Sequence, residues 1–334
     1  MVSVCASLLV VVLAVAIGSV YVPAGEIFDI VRHMIMGADL PGHIPPASAA
    51  IVWNLRLPRA LLAFITGAAL SVSGAVMQSV LRNPLASSYT LGVSSGASLG
   101  AGIVILYGIS IPLLGMLTLP LTGFVFGLGT ILLAIAIASR IDMQMENNTI
   151  ILTGMVFSLF VNAVTTLLSA LSREHVQRLI FWQMGSFSMK DWPVVLILVP
   201  VVLLCTLYVV HFNRELDIMT FGEEQAKTIG VDIRRVKLIL LITAAALTGS
   251  TIAFVGVIGF VDLVAPHIVR RLFGSSHKYV IPMSALFGGA FMVICDLAAR
   301  TVASPSELPV GAVTAIIGAP FFAYIYFGRR KKKA

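Results

Sequence analysis

The chain has 334 residues, 58% hydrophobic and only 11% charged, with a formal net charge of +7 and a mean hydropathy of +1.01. Soluble domains carry about 25% charged residues, so this composition excludes one and indicates an integral membrane protein. The basic residues stand between apolar runs and in the closing GRRKKKA, Gly328 to Ala334, where they orient helices and hold a tail at anionic lipid; no nucleic-acid signal is present.

Apolar stretches of about 20 residues fit helices that cross a hydrocarbon core rather than the alternation of a barrel. The first, MVSVCASLLVVVLAVAIGSVYVPAG, lacks the basic leader of a signal peptide and reads as a spanning helix. The runs predict about ten spans, near 2–22, 57–80, 88–107, 111–138, 149–171, 192–212, 236–257, 258–272, 279–299 and 309–327. Residues 23–55, with Pro23, Pro41, Pro45 and Pro46, read as an external loop holding at most one short helix. Residues 172–191 are too polar to span and read as an external interfacial helix ending at Gly185. Residues 213–235 read as a cytoplasmic loop, and FGEEQAKTIGVDIRRVK, Phe221 to Lys237, is the substantial polar island of the second half. Gly256, Gly259 and Pro266 interrupt the pair 236–257 and 258–272, which suggests a broken helix.

With both termini inside, Arg82, Arg140, Arg214 to Lys237, Arg270 to Lys278 and Arg329 to Lys333 share the cytoplasmic side. The other side keeps Arg32, Arg56, Arg59, Arg173, Arg178, Lys190 and Arg300, an asymmetry of about two to one in the sense of the positive-inside rule. ITGAALSVS, Ile65 to Ser73, echoes ITAAALTGS, Ile242 to Ser250, in runs of opposite direction, which is the mark of an inverted repeat. Small residues selected for close helix packing would give the same likeness.

Enzymatic signatures are scarce. GxxxxGK[ST] and HExxH do not occur, GxSxG is met only in the Ser/Gly-rich run Gly92 to Gly100 where no elbow marks a nucleophile, and Cys5, Cys205 and Cys295 stand singly, without metal or disulfide spacing. Asp262 and Asp296 are the acids clearly inside spans, where a carboxylate faces water or a partner; for Asp296 an intrahelical pair with Arg300, four residues on, is the plain reading. A proton-coupled carrier would need more such groups, so their scarcity argues that coupling is supplied from elsewhere.

Five segments in unbroken order resemble the FecCD family, the ten-helix permease subunits of binding-protein-dependent ABC importers for iron-siderophores, haem and cobalamin. They are Arg56 to Ala101, GEEQAKTIGV (Gly222 to Val231), GFVDLVAPHIVR (Gly259 to Arg270), DLAAR (Asp296 to Arg300) and ELPVGAVTAIIGAPFFAYI (Glu307 to Ile325). The family's usual cytoplasmic leader is nearly missing, which suggests a late-started reading. The resemblance implies an all-α membrane protein of about ten transmembrane helices with an inverted repeat, type II ABC importer permease-like, in one domain over 1–334. It implies a homodimer in the bacterial cytoplasmic membrane, two cytoplasmic ATPase subunits that bind the ATP, an extracytoplasmic substrate-binding protein, and no cofactor or metal held by the permease itself.

Residue by residue, the resemblance places binding-protein docking at Arg56, Arg59 and Arg300, with interfacial anchoring of a helix as the alternative for Arg56 and Arg59. It places a cytoplasmic gate at Asn83, Leu85, Asn147 and Asn148, the last two departing from the small hydroxyl residues usual there. ATPase coupling falls to Glu223, Glu224, Ala226, Lys227, Gly230, Arg234 and Arg235, with Ala226, Ile229 and Val231 filling the ATPase cleft and Pro266 and His267 at a turn on the same side. Asp262 departs from the small or apolar residue common at its place, and a partner across the helix break is the expectation for it. The implied function is import of an iron-siderophore or related metal chelate, with haem or cobalamin as alternatives and an ion-coupled carrier or membrane enzyme as the remote one.

Overall fold

The computed structural model describes residues 2–18, 21–172 and 175–328, with side chains through Tyr324. Of the basic residues weighed above, Arg173 and Arg329 to Lys333 lie outside the described residues. The described chain is helical: α1 (Val2–Ala16), α2 (Ala24–Met36), α3 (Pro46–Ile51), α4 (Leu57–Val80), α5 (Val93–Tyr107), α6 (Thr118–Ile141), α7 (Asn147–Leu171), α8 (Val176–Gln183), α9 (Trp192–His211), α10 (Asn213–Thr220), α11 (Glu223–Thr228), α12 (Ile233–Val255), α13 (Val261–Phe273), α14 (His277–Thr301) and α15 (Val310–Gly328).

Each of the ten predicted spans carries one of these helices. Among the described residues, six helical stretches are long and apolar enough to cross a membrane alone, namely Pro46–Val80, Gly115–Ile141, α7, α9, α12 and α14. The 13 residues of α13 reach only about 20 Å, short of the roughly 30 Å of a hydrocarbon core. The stretch 23–55 is more ordered than a proline-rich loop suggests. It folds as α2 and α3, and α3 runs through a π-helical turn at Val52–Arg56 straight into α4. Pro45 and Pro46 permit this because they stand at a helix start, where a missing N–H costs nothing.

α4 is the axis of the bundle. Every residue from Thr66 to Val80 is buried, whereas α7 and α9 leave most of their surface outward. A spanning helix hidden on all sides needs small residues so that neighbours can approach, and α4 supplies Gly67, Ala68, Ala69, Ser71, Ser73, Gly74 and Ala75. A Cβ on Gly67 would lie 2.2 Å from the Gly288 carbonyl of α14, and one on Gly74 would lie 1.9 Å from the Asp262 carbonyl of α13.

The echoing segments lie in α4 and α12, which run in opposite directions and touch. Ser73 donates to the Ala244 carbonyl at 2.8 Å, and the Thr248 hydroxyl donates to Ser73 at 2.7 Å. Each is followed by a break and a shorter helix: residues 81–92 before α5, residues 256–260 before α13. Gly256 at φ 80° and Phe260 at φ 70° turn the second break. In the first, Ser88 lies 2.6 Å from Ser73, about two turns back from the end of α4, so the chain re-enters the interior before α5 starts. The shared plan of long helix, break and short helix with opposite polarity is the inverted repeat.

Candidate functional site

Two polar assemblies occupy opposite ends of the bundle. At one end the π turn and the first turn of α4 present Arg56 and Arg59, α14 presents Asp296 and Arg300, and the loop after α14 presents Glu307. Arg59 is the hub. Its Nε lies 3.0 and 3.1 Å from the two Asp296 oxygens, its Nη2 2.9 Å from Oδ1, and its Nη1 2.8 Å from Glu307 Oε1. The expected Asp296–Arg300 pair is present but loose, its i,i+4 contact being 3.9 Å, and the fork-shaped guanidinium of Arg59 is the tighter partner because it meets both oxygens at once.

Arg56 donates to the carbonyls of Val15 and Ala16 at 3.0 and 3.2 Å, and Arg300 donates to that of Ala14. These are the carbonyls that the end of α1 leaves without helical partners, at the negative pole of its dipole. The arginines read as docking residues therefore come together, but they are embedded, with Arg56 only 7% exposed. They line a cavity of about 450 Å³ together with Lys190, Asp191 and Glu307. The Arg59 hydrogen bond holds the Glu307 carboxyl below its ordinary value, and burial lowers the Lys190 ammonium from its own. Lys190 and Glu307 were not singled out from the sequence as site residues.

At the other end the polar island folds as α11, seated on the start of α12, next to the loop joining α6 to α7. Asp142 accepts the backbone N–H groups of Glu146 and Gln144 at 2.7 and 2.9 Å; these bonds hold its carboxyl below the usual range and shape the turn into α7. Lys237 is 0% exposed, lies 2.7 Å from Glu223 and donates to the Met145 carbonyl at 3.0 Å. One buried ammonium thus fastens α11, α12 and the α6–α7 loop together. Asn147 and Asn148 line a groove of about 650 Å³ with Arg82, Glu146, Glu223 and Glu224. The Asn83 side chain accepts the Leu85 N–H at 2.9 Å, and Leu85 is 45% exposed.

The island's residues divide sharply. Glu224, Lys227, Ile229, Gly230, Arg234 and Arg235 are exposed. Ala226 is fully buried in the chain's own core, and Glu223 is engaged by Lys237, so neither presents a free contact as expected of them. Val231 is half-buried. Pro266 and His267 do not form a turn; they lie within α13, Pro266 buried and His267 edge-on to Phe322 at 5.9 Å. Asp262 does have a partner, but not across the break at 256–260 as expected: it is Ser87 of the re-entrant segment, whose hydroxyl donates to its carboxylate.

A family model for the FecCD transport family matches residues 6–328. The chain is 41% identical over 315 residues to YvrB of Bacillus subtilis, an uncharacterised ABC transporter permease protein, covering 94% of this chain and 89% of that one. It is 38% identical to BtuC of Halobacterium salinarum, a cobalamin import system permease protein, over 86% of this chain and 76% of that one. With HmuU of Yersinia pestis, a hemin transport system permease protein, it shares 35% identity over 85% of each. Among solved structures, an inward-facing conformation described as of the metal-chelate type of ABC transporter superposes with a TM-score of 0.84 at 29% identity, covering 98% of this chain and 97% of that one.

Proposed function

The chain belongs to the FecCD transport family and is a permease subunit of an ABC importer; from that premise we propose that it carries an iron-siderophore or related metal chelate into the cytoplasm by ATP-driven alternating access. It works as a homodimer in the bacterial cytoplasmic membrane, with its termini inside. A substrate-binding protein docks on the arginine cavity, and two ATPases dock beneath α11. The observation that carries this reading is the division of the polar island. The buried Lys237–Glu223 clamp holds α11 in place beneath an outward row of Glu224, Lys227 and Ile229, the last 67% exposed. Such a clamp resists displacement when a partner pushes on the exposed row.

At the opposite end, Arg56, Arg300 and Lys190 line a cavity with Arg59 and Glu307, while Asp296, buried outside that lining, pairs with Arg59. An incoming carboxylate of the binding protein competes with Glu307, the exposed acid, and leaves Asp296 in place. Such pairing chiefly orients docking. Haem and cobalamin are the second reading for the cargo, favoured by the relatives named for hemin and cobalamin.

The test is uptake into proteoliposomes containing the permease and its ATPase, with the binding protein outside and ATP within. Uptake of a ferric siderophore dependent on both ATP and binding protein is the expected result. Uptake by the permease alone under a proton or sodium gradient would overturn the ATP-driven reading, and uptake of haem or cobalamin in place of the siderophore would overturn the cargo.

A further inference from the structure

One feature of the interior is not needed to hold two helices together: an unbroken line of hydrogen bonds from Asp262, deep in the bundle, to Asp217 on the ATPase-facing side. Asp262 is 3% exposed, at the start of α13. It accepts the Ser87 hydroxyl of the re-entrant segment, and its backbone carbonyl accepts the Gln78 amide of α4 at 3.1 Å. The Gln78 carbonyl oxygen accepts from Arg270 Nη1, two turns further along α13. Arg270 Nη2 donates to the Ser79 hydroxyl at 3.0 Å, and Ser79 lies 2.6 Å from His277 Nε2. His277 Nδ1 lies 2.6 Å from Asp217 Oδ1 of α10, which also accepts the His277 backbone N–H at 2.8 Å.

Every donor and acceptor in this line can be satisfied by one set of protons. With Nδ1–H donating to Asp217, the bare Nε2 accepts the Ser79 hydroxyl, which turns to it from the Ala75 carbonyl 2.8 Å away; that carbonyl keeps Arg270 Nη2 at 3.1 Å, and the Ser79 oxygen also accepts from Arg270. The line joins four elements, α10, α14, α4 and α13, to residues 83–92, and two acids terminate it with one guanidinium between them. A polar line buried among apolar helices costs desolvation at each member, and it holds only while every member keeps its partner. Displacing one end therefore disturbs the next pair rather than being absorbed by soft packing.

We propose that this line is a positioning relay: movement of α10 under the ATPase reaches the re-entrant segment 83–92 through His277, Ser79, Arg270, Gln78 and Asp262. The relay deepens the functional reading above and rests on it, since it takes the 213–235 face as the ATPase contact. It gives Asp262 a role, as the anchor that binds the re-entrant segment of one repeat to the short helix of the other.

The test uses hydrogen–deuterium exchange on the complete permease–ATPase complex in nanodiscs, with and without ATP and vanadate. In the unmodified complex, nucleotide trapping should alter amide exchange both in α10–α11 and in 83–92. Ser79→Ala removes the central hydroxyl with almost no change of volume; it should keep the α10–α11 response and lose the one at 83–92. Ser79→Thr, which retains the hydroxyl, should restore it. An 83–92 response that survives in Ser79→Ala, or that Ser79→Thr also lacks, overturns the relay. If Ser79→Ala does not assemble, Gln78→Met cuts the same line between Arg270 and Asp262 and is judged by the same criteria. Absence of any α10–α11 response in the unmodified complex would instead refute the ATPase contact itself, so the two failures are distinguishable.

Discussion

Lys237 offers the sharpest energetic prediction. Its ammonium is wholly buried and has two partners, Glu223 at 2.7 Å and the Met145 carbonyl at 3.0 Å. Glu223→Ala strands that charge. Breaking a buried pair by removing one partner costs about 3–5 kcal/mol, and because the Glu223 side chain is 24% exposed, water reaches one side and the lower figure applies, about 3 kcal/mol. Lys237→Met costs less. Glu223 can turn toward solvent, and what remains is one orphaned carbonyl, about 1–3 kcal/mol. Once the lysine is gone the glutamate has nothing left to neutralise, so the double variant should cost about 2 kcal/mol, less than Glu223→Ala alone. Equilibrium unfolding in mixed micelles reads all three. A double variant whose loss equals the sum of the singles, within about 0.5 kcal/mol, would refute the clamp.

Three further outcomes follow from the same geometry. Glu224→Arg and Lys227→Glu lie on the exposed row and should each weaken co-purification with the ATPase several-fold while leaving the unfolding midpoint within about 0.5 kcal/mol of the parent; unchanged co-purification of both would remove the row from the contact. Gly288→Ala places a Cβ 1.7 Å from Ser71 Oγ and 2.6 Å from the Gly67 carbonyl, and should destabilise the α4–α14 crossing by about 1–3 kcal/mol or more, seen as a lowered thermal midpoint. Glu307, whose folded value is depressed by Arg59, contributes stability that is fully present above its unfolded value of about 4.3 and is lost as pH falls through the lower folded one. The gap between the parent and Glu307→Gln, below about 1 kcal/mol for an exposed pair, should therefore close below pH 4 and stay constant above pH 6.

The bundle was legible in the sequence because length and apolarity are the terms that a bilayer enforces. All ten runs became helices, and the echo between Ile65–Ser73 and Ile242–Ser250 marked the two repeat helices. The order within 23–55 was hidden, since the prolines that read as loop also start helices. Partners across the fold were also hidden. DLAAR offers Asp296 an arginine four residues away, whereas Arg59, 237 positions distant, holds it. Lys237 could have been found: it shares its helix stripe with Ile233, Leu240, Leu241 and Ala244, all buried, so periodicity alone pointed the lysine inward. Ala226 and Pro266 were misplaced for the converse reason, because a family motif marks a segment and does not say which of its side chains face the chain's own core.

The central claim, that a separate ATPase drives this permease from the α11 side in response to a protein at the other end, is tested most directly by ATP hydrolysis. The permease–ATPase complex in nanodiscs is assayed before and after adding its substrate-binding protein, with Glu224→Arg alongside. The account predicts several-fold stimulation in the parent complex and none in the variant. Hydrolysis that does not respond to the binding protein in the parent would contradict it.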